Sequence, residues 1–318
     1  MAPGLGNIFL LLAPAAAFRM SSTTPVSKRK LNSIETPSAK RLIMMATGTK
    51  KGSFGCAIDP DIEVHTLILG TQPSDVSLEG QRYYDTHTNA LWHIVGDALG
   101  WRRGWLDAKG RGPSPSITRS LLHEPTMLQY DDALRDLTSR GYALWDVLRE
   151  SERAGSLDGD IKNGVPADVR GLVAQHPSIS RICLASGGTT ATFFKRHFKG
   201  WLAEEGQFRV HPNRLSQQAF GKVVPAAVDA KIELVVMSSV SPAFVPHVSF
   251  GEQYADKRIA AYAEAGYPHL SARASAYAWK RQQWFESCFE RELSKGACCM
   301  RFGDRPGDFF DGDACESK

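Results

Sequence analysis

This sequence predicts an α/β fold: a four-stranded parallel sheet with helices on both faces. Four short apolar runs, near residues 65–70, 143–148, 181–186 and 233–239, each give way to small or polar residues. Between and after them lie stretches with helical spacing, near 89–100, 129–140, 167–176, 189–199 and 275–293. Short apolar runs alternating with helical patterns are what strands joined by crossover helices leave in a sequence. At 318 residues with 42% hydrophobic side chains, the chain has the means to bury a substantial core.

The first strand is the most informative. Its apolar residues Leu67, Ile68 and Leu69 stop at Gly70-Thr71-Gln72-Pro73-Ser74. A tyrosine pair, Tyr83-Tyr84, follows, and then Asp85-Thr86-His87-Thr88-Asn89 leads into a helix that begins Ala90-Leu91-Trp92. Open α/β sheets hold their ligands at the carboxyl ends of the strands, so this loop is a candidate mouth. It carries aromatic rings, amides and a histidine, and no glycine-rich phosphate fingerprint. Such a lining suits a flat, neutral, hydrogen-bonding ring. The second strand ends at Trp145-Asp146. The third runs into Gly187-Gly188-Thr189-Thr190, which reads either as a tight, well-capped turn or as a phosphate-gripping helix N-terminus. The fourth precedes Ser238-Ser239-Val240-Ser241-Pro242-Ala243. Two stretches, 102–127 and 244–274, break the alternation with Gly, Pro and Ser and read as loop insertions.

Charge is unevenly placed. Residues 1–56 carry eight bases against one acid, while the rest has 30 bases against 33 acids, five of these in the tail from Asp304. A body so close to neutral argues against a protein that coats a bulk polyanion, though it leaves room for a local basic groove. Lys28-Arg29-Lys30 and Lys40-Arg41 are spaced like a bipartite nuclear-import signal or a disordered basic arm. The apolar run Ile8–Ala13 is too short to cross a bilayer and could belong to a targeting segment within 1–19. The expected organisation is a disordered basic segment over 1–60, one domain over 61–295 and an acidic disordered tail over 296–318. The expected location is the nucleus, with a DNA-containing organelle as a further site. Six cysteines without a CxxC pair read as structural thiols in a reducing compartment, and neither a metal site nor a cofactor is expected.

Four stretches, in order, resemble the uracil-DNA glycosylase superfamily, and specifically its hypoxanthine-DNA glycosylase branch. They are Gly70–Ser74 with Gln81–Trp92, Ala143–Leu148, Ser151–Asp158 and Ser238–Ala243, within a span of about 64–290. The chain departs from that pattern at Ser238, Val240 and Phe244. The resemblance implies a three-layer α/β/α fold with a short four-stranded parallel sheet. It also implies a monofunctional enzyme that flips a deaminated base out of DNA and hydrolyses its N-glycosidic bond. Extrusion is required because the reacting atoms are out of reach within the stack.

On this resemblance Asn89 is the central catalytic residue, holding a water in line with the anomeric carbon. Taken alone, Asn89 reads as a helix cap. Gln72 stands where related mismatch enzymes position their water, and could equally be a turn amide. Tyr84 offers a stacking face for the base. His87 could bond the departing purine or a phosphate, and Trp145 and Asp146 lie at the depth where the base edge is read. Asp146 could accept from the ring N–H that hypoxanthine carries and adenine lacks. Ser239 and Ser241 could grip phosphates, with Phe244 as the wedge. Lys195, Arg196, Lys280 and Arg281 could add phosphate contacts or form an ordinary solvated face. The partner expected is DNA containing a deaminated base, hypoxanthine first, met by a monomer that involves no membrane. The alternatives are a mismatch-type uracil-DNA glycosylase and a non-catalytic damaged-DNA-binding module.

Overall fold

A computed structural model describes residues 50–113, 126–186, 188–242 and 272–294. At its centre is a parallel sheet of five strands: β2 (Thr66–Gly70), β5 (Tyr142–Asp146), β8 (Arg181–Leu184), β9 (Phe208–Val210) and β10 (Ile232–Val236), in the order β5-β2-β8-β10-β9. Four coincide with the expected runs. The fifth, β9, is a three-residue edge strand paired with β10, too short to leave a periodic signal.

The strands are buried on both faces, which explains their nearly unbroken apolar sequences. Side chains alternate between the two faces. Ile68, Tyr142, Leu144, Cys183 and Val235 join one cluster with helices α2 (Leu91–Leu99), α3 (Tyr130–Ser139) and α8 (Ala272–Ser287). Leu67, Leu69, Ala143, Ile182, Leu184, Leu234 and Val236 join the other, with α4 (Val169–Gln175), α5 (Thr189–His197), α6 (Lys199–Leu202) and α7 (Arg214–Phe220). The result is the expected three layers. A six-residue helix α1 (Asp75–Gly80) lies in the loop after β2, and α9 (Glu290–Ser294) follows α8. Among the described residues no helix is long and apolar enough to cross a membrane.

Two small sheets decorate this frame. Strands β1 (Lys50–Gly52), β6 (Leu148–Glu152) and β7 (Lys162–Pro166) form an antiparallel sheet, and β3 (Trp101–Arg103) pairs with β4 (Thr126–Leu128). The first corrects the expected boundary at residue 60. Lys50–Gly52 pair with Glu150–Glu152, and Ala57 bridges to Leu144, so residues 50–60 belong to the fold. The second shows that both ends of the 102–127 insertion are ordered against each other. Residues 1–49, 114–125, 187, 243–271 and 295–318 lie outside the described residues, and with them the basic arm, the first glycine of the Gly187-Gly188 turn, most of the 244–274 insertion, Phe244 and the acidic tail.

Candidate active site

The mouth forms where β2 and β5 end side by side, with Gly70 paired to Asp146. Asp146 is buried, and its Oδ2 accepts a 2.5 Å hydrogen bond from the Ser53 hydroxyl. Burial pushes its carboxyl up to about 7, with the Ser53 bond opposing, Asp158 adding to the rise and Arg153 reducing it. This carboxyl therefore changes charge near neutral pH.

Tyr84 lies over the same floor. Its backbone is left-handed at φ 53°, a region that costs a bulky side chain on the order of 1–3 kcal/mol. Its hydroxyl is buried with no hydrogen-bond partner among the described residues, an omission that costs about 1–3 kcal/mol more. Burial, and next to it the Asp146 carboxylate, hold the phenol well above its ordinary range. A Cβ on residue 70 would stand 2.6 Å from both Asp146 Oδ1 and the Tyr84 hydroxyl. Glycine is thus required at 70 for this close approach, not for turn geometry alone. Tyr83 is a core residue by contrast: its ring packs edge-on against Phe54 at 5.0 Å, and its hydroxyl donates to the Gly55 carbonyl.

The loop from Tyr83 to Asn89 is fixed from below. The Asp85 carboxylate accepts from the Trp105 indole at 3.1 Å and from the Ala108 backbone at 2.8 Å, and the Asp85 carbonyl accepts from Arg103 at 2.7 Å. His87 pairs through Nδ1 with Asp107 at 3.1 Å. Although burial works against it, Asp107 lies well below the usual carboxylate range because Arg111 and the backbone N–H groups of Arg111, His87 and Lys109 all donate to it. His87 is therefore moored to the 104–113 segment with its ring still partly exposed.

Asn89 is half-buried at the start of α2, and its Oδ1 accepts from the Leu91 N–H at 3.0 Å. It is a helix cap, as its sequence position alone suggested, and the role leaves one Oδ1 lone pair unused. Its Nδ2 has no partner among the described residues. The next residue joins the site together, since the Ala90 N–H donates to the Val240 carbonyl at 2.9 Å. Asn89 thus sits against the loop that follows β10.

That loop is held by its carbonyls. The Trp284 indole donates to the Ser238 carbonyl at 3.1 Å, and the Lys280 ammonium to the Ser241 carbonyl at 2.7 Å. In a trans peptide the N–H points opposite to its carbonyl. The Ser239 N–H therefore faces away from Trp284, and the Ser241 N–H faces away from Ala90, which donates to the Val240 carbonyl. The Ser241 N–H is taken by Ser239 Oγ at 3.2 Å, and the Ser239 N–H has no partner among the described residues. Lys280 and Arg281 correct the expectation of a solvated face. Both are buried, and Arg281 pairs with Asp97 on α2 at 3.2 Å, where Arg102 and the Tyr277 hydroxyl also converge. Burial lowers the Lys280 ammonium to about 8. Of the other two basic residues, Lys195 donates to the Ala219 carbonyl and Arg196 is exposed.

Two expected residues occupy other places. Gln72 is buried with both ends engaged: its Nε2 donates to the Lys51 carbonyl at 2.8 Å and its Oε1 accepts from the Ser151 hydroxyl. Its amide ties β1 and β6 to the loop. Trp145 packs with the cluster on the opposite face of the sheet from Asp146, and its indole donates to the Phe54 carbonyl at 3.2 Å. Neighbouring residues of a strand cannot both face the mouth, and Asp146 is the one that does.

The Ser151–Asp158 stretch has a role that its spacing did not disclose. Buried Arg153 bonds the Pro73 carbonyl and Asp158, and the Ser156 hydroxyl accepts from the Asp75 N–H at 2.9 Å. The motif wraps and fixes the 70–75 loop. Asp158 remains partly exposed, and burial raises its carboxyl against the pull of the Thr71 hydroxyl and Arg153. A second carboxyl thus stands near Asp146 and Tyr84, a neighbour legible in the motif only once the fold is known.

An open parallel sheet, a helix-capping asparagine seated against the last strand's loop, and a carboxyl and phenol at the mouth fit the order of the four motifs. The chain is similar in sequence to members of the uracil-DNA glycosylase superfamily. Its similarity runs to proteins named hypoxanthine DNA glycosylase. That of Methanosarcina acetivorans is 29% identical over 133 residues, covering 42% of this chain and 69% of the relative. That of Methanosarcina barkeri is 28% identical over 114 residues, covering 36% of this chain and 57% of the relative. A solution NMR structure from M. acetivorans, described as a candidate uracil DNA glycosylase, is 21% identical and aligns over 74% of this chain and 98% of its own at a TM-score of 0.39. No protein-family model matches.

Proposed function

We propose that this protein is a monofunctional DNA N-glycosylase that extrudes a deaminated base, hypoxanthine first, and hydrolyses its N-glycosidic bond during base-excision repair. The observation that carries this reading is the hydrogen bond from Ala90 to Val240, which sets the Asn89 carboxamide beside the Ser239–Ser241 loop. A phosphate grip on that loop would deliver the flipped nucleoside to Asn89. The spare Oδ1 lone pair accepts from a water and holds it toward the anomeric carbon. An amide is no strong base, so the base departs first and the water meets an oxocarbenium-like sugar. Positioning supplies several kcal/mol of such a barrier without a charged catalyst. The Ser239 N–H and hydroxyl offer donors to phosphate oxygens. In its ionised form, Asp146 accepts from a ring N–H of the base. The mature enzyme is expected to act as a monomer in the nucleus.

A panel of duplexes carrying hypoxanthine, uracil or other lesions, scored for abasic sites, tests the reading. Release of hypoxanthine by the native protein supports it, and Asn89→Ala should lower that rate by orders of magnitude while leaving the fold intact. Single-turnover excision that survives in Asn89→Ala removes Asn89 from its role. Release of uracil alone promotes the mismatch-type enzyme, and tight binding of damaged duplexes without excision promotes a binding module.

A further inference from the structure

The Tyr84 hydroxyl stands out among the polar groups of the mouth. Among the described residues it is buried without a partner, on a residue whose left-handed backbone tyrosine rarely adopts. Two unfavourable features on one residue call for a compensating role. Its surroundings suggest one. Asp146 has Oδ2 committed to Ser53, and its Oδ1 shares with the Tyr84 hydroxyl the surface left by the missing side chain of Gly70. One is a hydrogen-bond acceptor when ionised and the other a donor, side by side at the end of two paired strands.

We propose that the Tyr84 hydroxyl is a specificity-determining donor reserved for the exocyclic oxygen of the extruded base, with Asp146 taking the adjoining ring N–H. This rests on the base-excision reading above and changes the part played by Tyr84 from a stacking face to an edge contact. The pair is complementary to a lactam: a ring N–H beside a carbonyl oxygen. Hypoxanthine presents N1–H next to O6, and uracil presents N3–H next to O4. Adenine and cytosine, from which these arise by deamination, present the reverse, a ring acceptor beside an amino donor. Against them the phenol would face an N–H and the carboxylate a lone pair. The pair does not separate hypoxanthine from guanine, whose difference lies at C2, so that choice falls to other contacts.

Tyr84→Phe tests this, because the hydroxyl has no partner among the described residues to lose. The measurements are the melting temperature, single-turnover release of hypoxanthine and of uracil, and affinity for a duplex carrying an uncleavable 2′-fluorinated deoxyinosine. The expected result is a melting temperature equal to or above that of the native protein. Excision of both bases and affinity for the uncleavable duplex should each fall about tenfold, the loss of one buried hydrogen bond. Binding to a duplex with a stable abasic-site analogue should be unchanged, since no base edge is present. Native rates in Tyr84→Phe overturn the proposal while leaving the glycosylase reading intact. So does a variant whose abasic-duplex binding and melting temperature fall together, because the hydroxyl is then structural. If the native protein cleaves nothing yet binds the fluorinated duplex more tightly than Tyr84→Phe does, the glycosylase reading fails and the edge contact stands.

Discussion

Replacing Asp146 by asparagine keeps the shape of the side chain and removes its charge. The Ser53 hydroxyl can still donate to the carboxamide oxygen, so the local geometry has no reason to change. Titration does change. Burial raises the Asp146 carboxyl from 3.8 to about 7, so the folded protein holds this proton more tightly than the unfolded chain does. A group of this kind favours the fold fully below about pH 4, and its contribution fades as pH rises and is gone above about pH 7. The gap between the two values corresponds to about 4 kcal/mol. Asparagine does not titrate, so the stability of Asp146→Asn relative to the native protein should rise by that order between pH 4 and pH 8. In a domain of this size that is on the order of 10 °C of melting temperature. Thermal unfolding of both proteins across that range reads the difference directly, since the other titrating groups are common to both. A difference that stays flat with pH refutes the claim that this carboxyl is buried and neutral at low pH. Excision carries a second signature: native hypoxanthine release should climb as pH passes about 7, because the ionised carboxyl is the stronger acceptor for N1–H, and the climb should vanish in the variant.

Gln72→Ala should lower stability by about 2–4 kcal/mol, because the Lys51 carbonyl and the Ser151 hydroxyl both lose a buried partner; urea unfolding measures it, and turnover per folded molecule should be unchanged. A large fall in turnover without loss of stability would instead return Gln72 to a place beside the water. Gly70→Ala should abolish excision, since a methyl group there would stand 2.6 Å from both Asp146 Oδ1 and the Tyr84 hydroxyl. Near-native activity in that variant would mean the two groups do not share the floor of the mouth.

Much of this architecture was legible in the sequence because parallel strands buried on both faces write themselves as apolar runs, and 66–70, 142–146, 181–184 and 232–236 all do. Asn89 was legible as a cap, and its Oδ1 does accept from the Leu91 N–H. Strand β9 was not legible, because three edge residues with alternating exposure have no period to detect. Lys50–Gly52 failed for a related reason: a basic tripeptide becomes a strand only through pairing with β6. Lys280 and Arg281 look like solvated charges until Asp97 and the Ser241 carbonyl, distant along the chain, are brought against them. Trp145 could have been placed by alternation alone, since Asp146 beside it must face the other way.

The three pinned carbonyls of residues 238–241 have a consequence for assembly. Two of their anchors, Lys280 and Trp284, come from a helix made after every strand of the sheet. A nascent chain halted before residue 272 would already own the Asn89 carboxamide and the tyrosine pair, yet would lack the scaffolding that steadies the 238–241 backbone. Because synthesis runs from the N-terminus, this loop reaches its final shape only after the helix that anchors it has been made.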